Sequence, residues 1–535
     1  MLKNPSSSGS DPDVLVRQVE RWGLLELTLS LDNNGLESPL PASHIDRSTW
    51  KAVFSRSGRE RERFAFQDAQ GNMAIRFMPD EEGEWSYAIL AMPSEEERQG
   101  EAKLRESGNA AEAKPRVVAT GRFRCTPPGP GNRGPVRAVS EKDFAYADGT
   151  PSYPFGTTCL YGYEEASFET TLASLGSASF NKVRMRVDAA CSDSHRLEQA
   201  VTRLGAMGIE VELLLGGRPL TPAAVKSLRE TVSRFGAFRH VGWALLAEGS
   251  GLDPAARSAW LRQVHAYGGE GHLLTVHAGD PFLDFGDPSI THVSLKGRDP
   301  SQVSRYAALH GKPVIMDVCG CEGDAPTLED SLPGEELVNR IWTSLCRGGY
   351  AGHGEAFVRG QGGTWHTDGG PLLGEAGPRI AFLRSIMEEA PAGLRYMPEY
   401  YDAATIGIDG LYYLQYHGIH QFPYKQLSVP PGRYTVELID VWGMTVTEVA
   451  GEFDGHIHVP LPSRKYQALR IRNQAVPPSE LPFRYETAKQ PSPYSSRMRN
   501  GQNQLPAVAN RLEQDDNFIQ ASERLQPDSA GSDEG

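Results

Sequence analysis

The stretch KPVIMDVCGCEGD, Lys312 to Asp324, is an apolar run that breaks into Asp317, Val318, two cysteines and Glu322. It reads as the end of a barrel strand, where a hydrolase keeps a carboxylate on a loop whose geometry does not disturb the core. Other residues able to do chemistry close similar runs: Glu248 after VGWALLA, His277 at the end of HLLTVH, His353 and Glu355 in GHGEAF, and Trp365 in GGTWHTDGG. Two carboxyl groups facing each other over a rim could divide general acid and base work, and an imidazole or an indole could hold a ligand beside them. Each has a plainer reading too. A loop glutamate can cap a helix, a rim histidine can be fully hydrogen-bonded, and a tryptophan among glycines can anchor a loop. Arg184 and Arg186 share one strand face; turned into a barrel they need an anion, Asp317 or Glu355, and a structural ion pair is the expectation. The pair Cys319 and Cys321 lacks the further ligands zinc requires, so no metal or other cofactor is expected.

The elements that must position these residues are legible from periodicity. Between Tyr153 and Pro391 eight short apolar runs (YPFGTTCLY, NKVRMRV, IEVELLL, VGWALLAE, HLLTVH, THVSLKG, KPVIMDV and GYAGHGEAF) are followed in most cases by amphipathic segments such as HRLEQAVTRLGAMG and GEELVNRIWTSLCRGG. That rhythm predicts an α/β fold, a (β/α)8 barrel over 136–393, with the unit after the fifth run reduced because HAGDPFLDFGDPSI has no helical pattern. The doubly wound alternative is disfavoured, since no dinucleotide-type glycine fingerprint follows the first run. Apolar–polar alternation over 19–126 and again over 398–473 predicts a small antiparallel β-sandwich on each side of the barrel. The insert Pro93–Arg116 is charged and reads as a solvated loop, while 1–18 and 474–535 lack periodic apolar content and read as disordered.

Composition narrows the partners. Lys and Arg total 54 against 68 Asp and Glu, a net charge of −14, which argues against a nucleic-acid backbone as partner. The sequence shows neither a signal-peptide pattern nor an apolar run long enough for a membrane span, and six scattered cysteines suit reduced thiols, so a cytoplasmic location is expected.

In order along the chain, IRFMPDEEGEWSY, FAYADGTPSYPFGTTCLY, FNKVRMRV, HGKPVIMDVCGCEG, GGYAGHGEAF and RIAFLRSIMEEAP resemble a bacterial family of three-domain glycoside-hydrolase-like proteins of uncharacterised function, related to the apiosidase-like barrels. The resemblance covers about 19–473. It implies a sugar-cleaving barrel with carboxylates at the ends of the fourth and seventh strands, because an oxocarbenium-like transition state needs one carboxyl to protonate the leaving oxygen and another to attack or activate water. This sequence departs from that pattern. At the fourth strand Glu248 falls where the family has asparagine and Gly249 where it has the acid, unless one residue is deleted. At the seventh, Val318 stands in the nucleophile's place, with Asp317 and Glu322 beside it. The sugar-binding loops implied after the second and third strands are thinned to DAACSDSHR and GGRPLTP. The resulting expectation is a degenerate member kept for carbohydrate binding or partner interaction. Two alternatives stand beside it: an active glycosidase using Glu248 with Glu322 or Glu355, and an assembly protein that uses its acidic tail. In the carbohydrate readings His277, His353, Glu355 and Trp365 are the candidate ligand contacts.

Overall fold

The computed structural model describes residues 17–29, 50–92, 115–187, 194–217, 219–247, 252–279, 283–326, 331–360 and 362–475. The expectations for the N-terminal residues 1–16, most of the charged insert and the tail from 476 onward lie outside the described residues.

Eight strands form one parallel sheet: β1 (Gly156–Thr158), β2 (Lys182–Val187), β3 (Glu210–Gly216), β4 (Val241–Leu246), β5 (Leu274–Ala278), β6 (Val293–Lys296), β7 (Val314–Val318) and β8 (Tyr350–Ala351). They pair in chain order, and bridging of Thr157 in β1 to His353 just past β8 brings the first and last strands together. All eight runs read from the sequence correspond to strands of this barrel. The helices are α1 (Phe168–Ser177), α2 (Ser194–Ala206), α3 (Pro222–Phe235), α4 (Pro254–Val264), α5 (Gln302–His310), α6 (Gly334–Cys346), α7 (Trp365–Asp368) and α8 (Ala376–Glu388). Among the described residues no helix lies between β5 and β6, as the sequence predicts. Helix starts follow capping chemistry: Pro222 and Pro254 open α3 and α4, where a missing N–H costs nothing, and Thr221 and Asp253 accept the backbone N–H groups of Ala224 and Ala256.

Strand alternation decides what each side of the barrel wall holds. In β2, Val183 and Met185 join the apolar layer under the helices, and in β5 Leu274 and Val276 do the same. The residues between them, Lys182 and Arg184 in β2 and Thr275 and His277 in β5, face the axis. A strip of three short strands (Val136–Ala138, Phe144–Tyr146 and Pro151–Ser152) covers the N-terminal end, where Val136, Phe144 and Tyr146 pack on Ile315 and Tyr350. Between β6 and β7 the register slips: Ser294 pairs with Ile315, but Lys296, two residues on, pairs with Val318, three residues on.

The flanking β domains have their own cores. In the first, a five-stranded and a three-stranded sheet enclose Phe54, Phe77, Trp85 and Phe123. One strand departs from the antiparallel expectation, because Arg17–Glu20 pairs in parallel with Arg116–Thr126; no hairpin joins these two strands, so nothing forces them to run in opposite directions. Arg76 of this domain is buried against the barrel's helices, bonded to Glu198 of α2 and to the carbonyl of Arg234 in α3 at 3.0 Å. In the second domain a six-stranded and a two-stranded sheet enclose Tyr413, Val436, Val459 and Leu469.

Candidate functional site

His277, Val318 and His353 lie near the C-terminal ends of barrel strands, but on different sides of the wall. His277 is the next-to-last residue of β5, Val318 the last of β7, and His353 follows β8. Glu248 lies outside the described residues.

Inside the barrel the axis is polar and ionic. Lys182 Nζ lies 2.9 Å from Glu212 and 3.0 Å from Asp317, and Arg184 Nε lies 2.7 Å from Glu212 and 3.7 Å from Asp317. Contacts from β2 to β7 can only cross the interior, so Asp317 faces the axis. All four charges are almost fully buried, which is tolerable because each cation meets two anions and each anion two cations. The ion pair expected for Arg184 is present, with Glu212 as its nearer partner. Burial opposes ionisation of Asp317 and Glu212, yet their cationic neighbours win: Arg184 and Lys182 hold Asp317 below the usual carboxylate range, and Lys182 and Arg184 hold Glu212 well below it. Asp317 Oδ2 also accepts the hydroxyl of Ser294 at 2.5 Å, and Ser294 Oγ lies 2.8 Å from His277 Nδ1. Burial, aided by Arg184, pushes His277 down to about 3, so the ring is neutral at physiological pH.

Outside the wall, at the mouth of α8, the other candidates are spent on the framework. Glu322 accepts the backbone N–H groups of Glu375 and Ala376 at 2.8 and 3.0 Å, and Glu355 those of Leu373 and Gly374 at 2.8 Å each. The Glu322 carboxyl therefore sits at the positive end of α8, and the Glu355 carboxyl fixes the loop that leads into it. Burial is the main reason that the Glu355 carboxyl is raised above its ordinary value. His353 bonds Thr157 Oγ1 through Nδ1 at 2.9 Å and packs on Phe180; the same Thr157 oxygen accepts the indole N–H of Trp365 at 2.8 Å. Thr157 pairs with Val183, so it shares the outward parity of that residue. Trp365 is 0 % exposed, with no ring face open to a sugar.

Two groups have the donor spacing of a metal site. Glu212, His292 and Asp317 form one; Glu322, His353 and Glu355 form the other, and in each the donor atoms lie within 4.8 Å of one another. In the first, Lys182 and Arg184 already supply the positive charge. In the second, all four carboxylate oxygens already hold backbone N–H groups. Neither donor set calls for a cation. The close pair Cys319 and Cys321 diverges: Cys319 Sγ reaches the carbonyl of Gly352 at 3.4 Å, while Cys321 Sγ lies 3.8 Å from His366 Nδ1.

Lys182, Glu212 and Ser294 were not singled out by sequence. The signal was there: in KVRMRV, VELLL and VSLK each polar residue occupies the axis parity of a run that is otherwise apolar. A cleft lies at the opposite, N-terminal end, lined by Phe144, Lys182, Glu210, Glu212, Leu273 and Ile315.

A parallel eight-stranded barrel flanked by two β domains is an arrangement this chain shares with glycoside hydrolases of known structure. The chain is similar to a candidate glycoside hydrolase from Bacteroides vulgatus of known crystal structure, with 25% identity, a TM-score of 0.71, and coverage of 85% of this chain and 100% of that one. A glycoside hydrolase family 5 protein from Bacteroides vulgatus (15% identity, TM-score 0.53, 69% of this chain and 98% of that one) and a further glycoside hydrolase (12%, 0.53, 65% and 99%) share the fold. Residues 18–92 match a family described as a domain of unknown function (DUF5060), and residues 401–472 another (DUF5605). No curated protein matches the chain. No helix of the described residues is long and apolar enough to cross a membrane.

Proposed function

We propose that this chain is a degenerate glycoside-hydrolase-like barrel that binds a carbohydrate at the C-terminal rim without efficient hydrolysis. One observation carries the reading: each described acid near the end of β7 is engaged elsewhere. Asp317 is held by Lys182, Arg184 and Ser294, Glu322 caps α8 and Glu355 holds the loop just before it, and the position of the family nucleophile is Val318, whose isopropyl group cannot attack a sugar. The glycosidase reading that uses Glu248 with Glu322 or Glu355 would have to free a buried carboxylate from two backbone N–H groups. Loss of a nucleophile closes the covalent route, and loss of a general acid alone removes about 10²- to 10⁴-fold of rate. Carbohydrate remains the ligand class because the neighbours of similar fold are glycoside hydrolases.

The test is a screen of aryl glycosides and oligosaccharides, for turnover and for binding, on the full chain. The expected outcome is binding of at least one neutral oligosaccharide with turnover at background. Robust turnover that disappears in Glu248→Gln or Glu322→Gln would overturn the degenerate reading in favour of the rearranged glycosidase.

A further inference from the structure

We propose that Asp317 and Ser294 are a positioning pair that fixes His277 as a neutral imidazole with its Nε2 lone pair open, making His277 a hydrogen-bond acceptor for a ligand hydroxyl at the rim. The inference rests on the carbohydrate reading and deepens it by naming the polar group and its polarity.

The argument follows the protons. Asp317 is ionised between Lys182 and Arg184 and can only accept. Ser294 has a single hydroxyl proton, and the 2.5 Å contact with Asp317 Oδ2 takes it. Ser294 Oγ must then accept at its other contact, so the hydrogen on the 2.8 Å line to His277 belongs to Nδ1. A neutral imidazole has only one N–H, which leaves Nε2 as a bare acceptor. Among the described residues Nε2 has no hydrogen-bond partner, whereas Nδ1 is fully occupied. His277 is the next-to-last residue of β5, and Ser294 sits opposite it in the adjacent strand, with the two residues paired in register. An acceptor held this firmly suits an O–H donor, the group a sugar presents most often, and gives a carboxylate oxygen nothing to bond.

The experiment is imidazole ¹H–¹⁵N long-range correlation spectroscopy on the full, histidine-labelled chain, with His277 assigned by difference from His277→Gln. Expected is the Nδ1–H tautomer from pH 5.5 to 8. In Ser294→Ala the Nδ1–H preference is lost, and Ser294→Thr, which keeps the hydroxyl, restores it; this rescue separates positioning from packing. Wild-type His277 found as the Nε2–H tautomer, or as imidazolium at pH 6.5, overturns the proposal, as does an unchanged tautomer in Ser294→Ala. Asp317→Asn disturbs the ion network and is therefore a second variant, read only if its circular dichroism is native. The binding arm uses xylobiose, cellobiose, mannobiose and digalacturonate. At least tenfold weaker binding of a neutral disaccharide to Ser294→Ala, with Ser294→Thr near wild type, supports the proposal, and tighter binding of digalacturonate than of every neutral sugar overturns it. If none of the four binds, the carbohydrate reading fails while the spectrum still decides the tautomer.

Discussion

His277 and His353 are both strand-end histidines buried at the same end of one barrel, and both are pushed down to about 3, chiefly by burial. Their surroundings nevertheless differ in kind. His277 faces the axis, one nitrogen locked by Ser294 and Asp317 and the other without a partner among the described residues. His353 lies outside the wall, packed on Phe180 and bonded to a threonine that Trp365 also uses. The difference teaches that a residue's place along a strand says less about function than its parity. One face of the wall looks onto the ionic axis, and the other onto the helix layer.

The sharpest way to break this contrast is at Glu322. If its carboxylate serves the start of α8, Glu322→Ala leaves two buried N–H groups unpaired and costs about 3 kcal/mol, seen as a drop of several degrees in the barrel's thermal transition. A rim carboxylate facing a ligand would instead leave the melting temperature near wild type and change only binding or turnover.

A smaller effect comes from pH. The unfolded values of His277 and His353 lie near 6.5 and the folded values near 3. The unfolded chain therefore takes up protons first, so their stabilising contribution is complete above about pH 6.5 and is lost as the pH falls toward 3. Each should remove about 2 kcal/mol by pH 5. Denaturant unfolding at pH 7 and pH 5 measures the loss, and His353→Gln should flatten the dependence. An unchanged slope in that variant would mean that the His353 ring reaches solvent after all.

The smallest effect is expected for the tail. Deleting residues 476–535 should leave the melting temperature within about 1 °C, because that sequence has no apolar periodicity with which to offset its ordering entropy. A larger fall would show a docked segment contributing to one of the two faces.

Much of the fold was legible because the barrel runs carry their own period: each of the eight apolar runs became a strand, and Gly and Pro punctuation marked their limits. The ionic axis was half legible. Arg184 announced a need for an anion, and Asp317 was named as one answer. Glu212 escaped notice because a single glutamate inside VELLL reads as a solvated residue until the strand is known to close into a barrel. The engagement of Glu322 and Glu355 was not legible at all. Their partners are backbone N–H groups of residues 373 to 376, and a backbone group leaves no mark in a sequence. Parity could have placed Trp365 no better, since it lies on a short helix rather than on a strand.

The slipped register between β6 and β7 has a further consequence, for how the rim can change. Below it, Ser294 and Ile315 are in step, and substitutions there are felt by the whole axis. Above it, Lys296 and Val318 meet one residue out of step, so the alternation that governs the ion network no longer governs position 318. The slip works as a clutch. Asp317 falls within it, between the paired Ile315 and Val318, and is held there by its bonds across the axis to Lys182 and Ser294 while the residue after it pairs on a different footing.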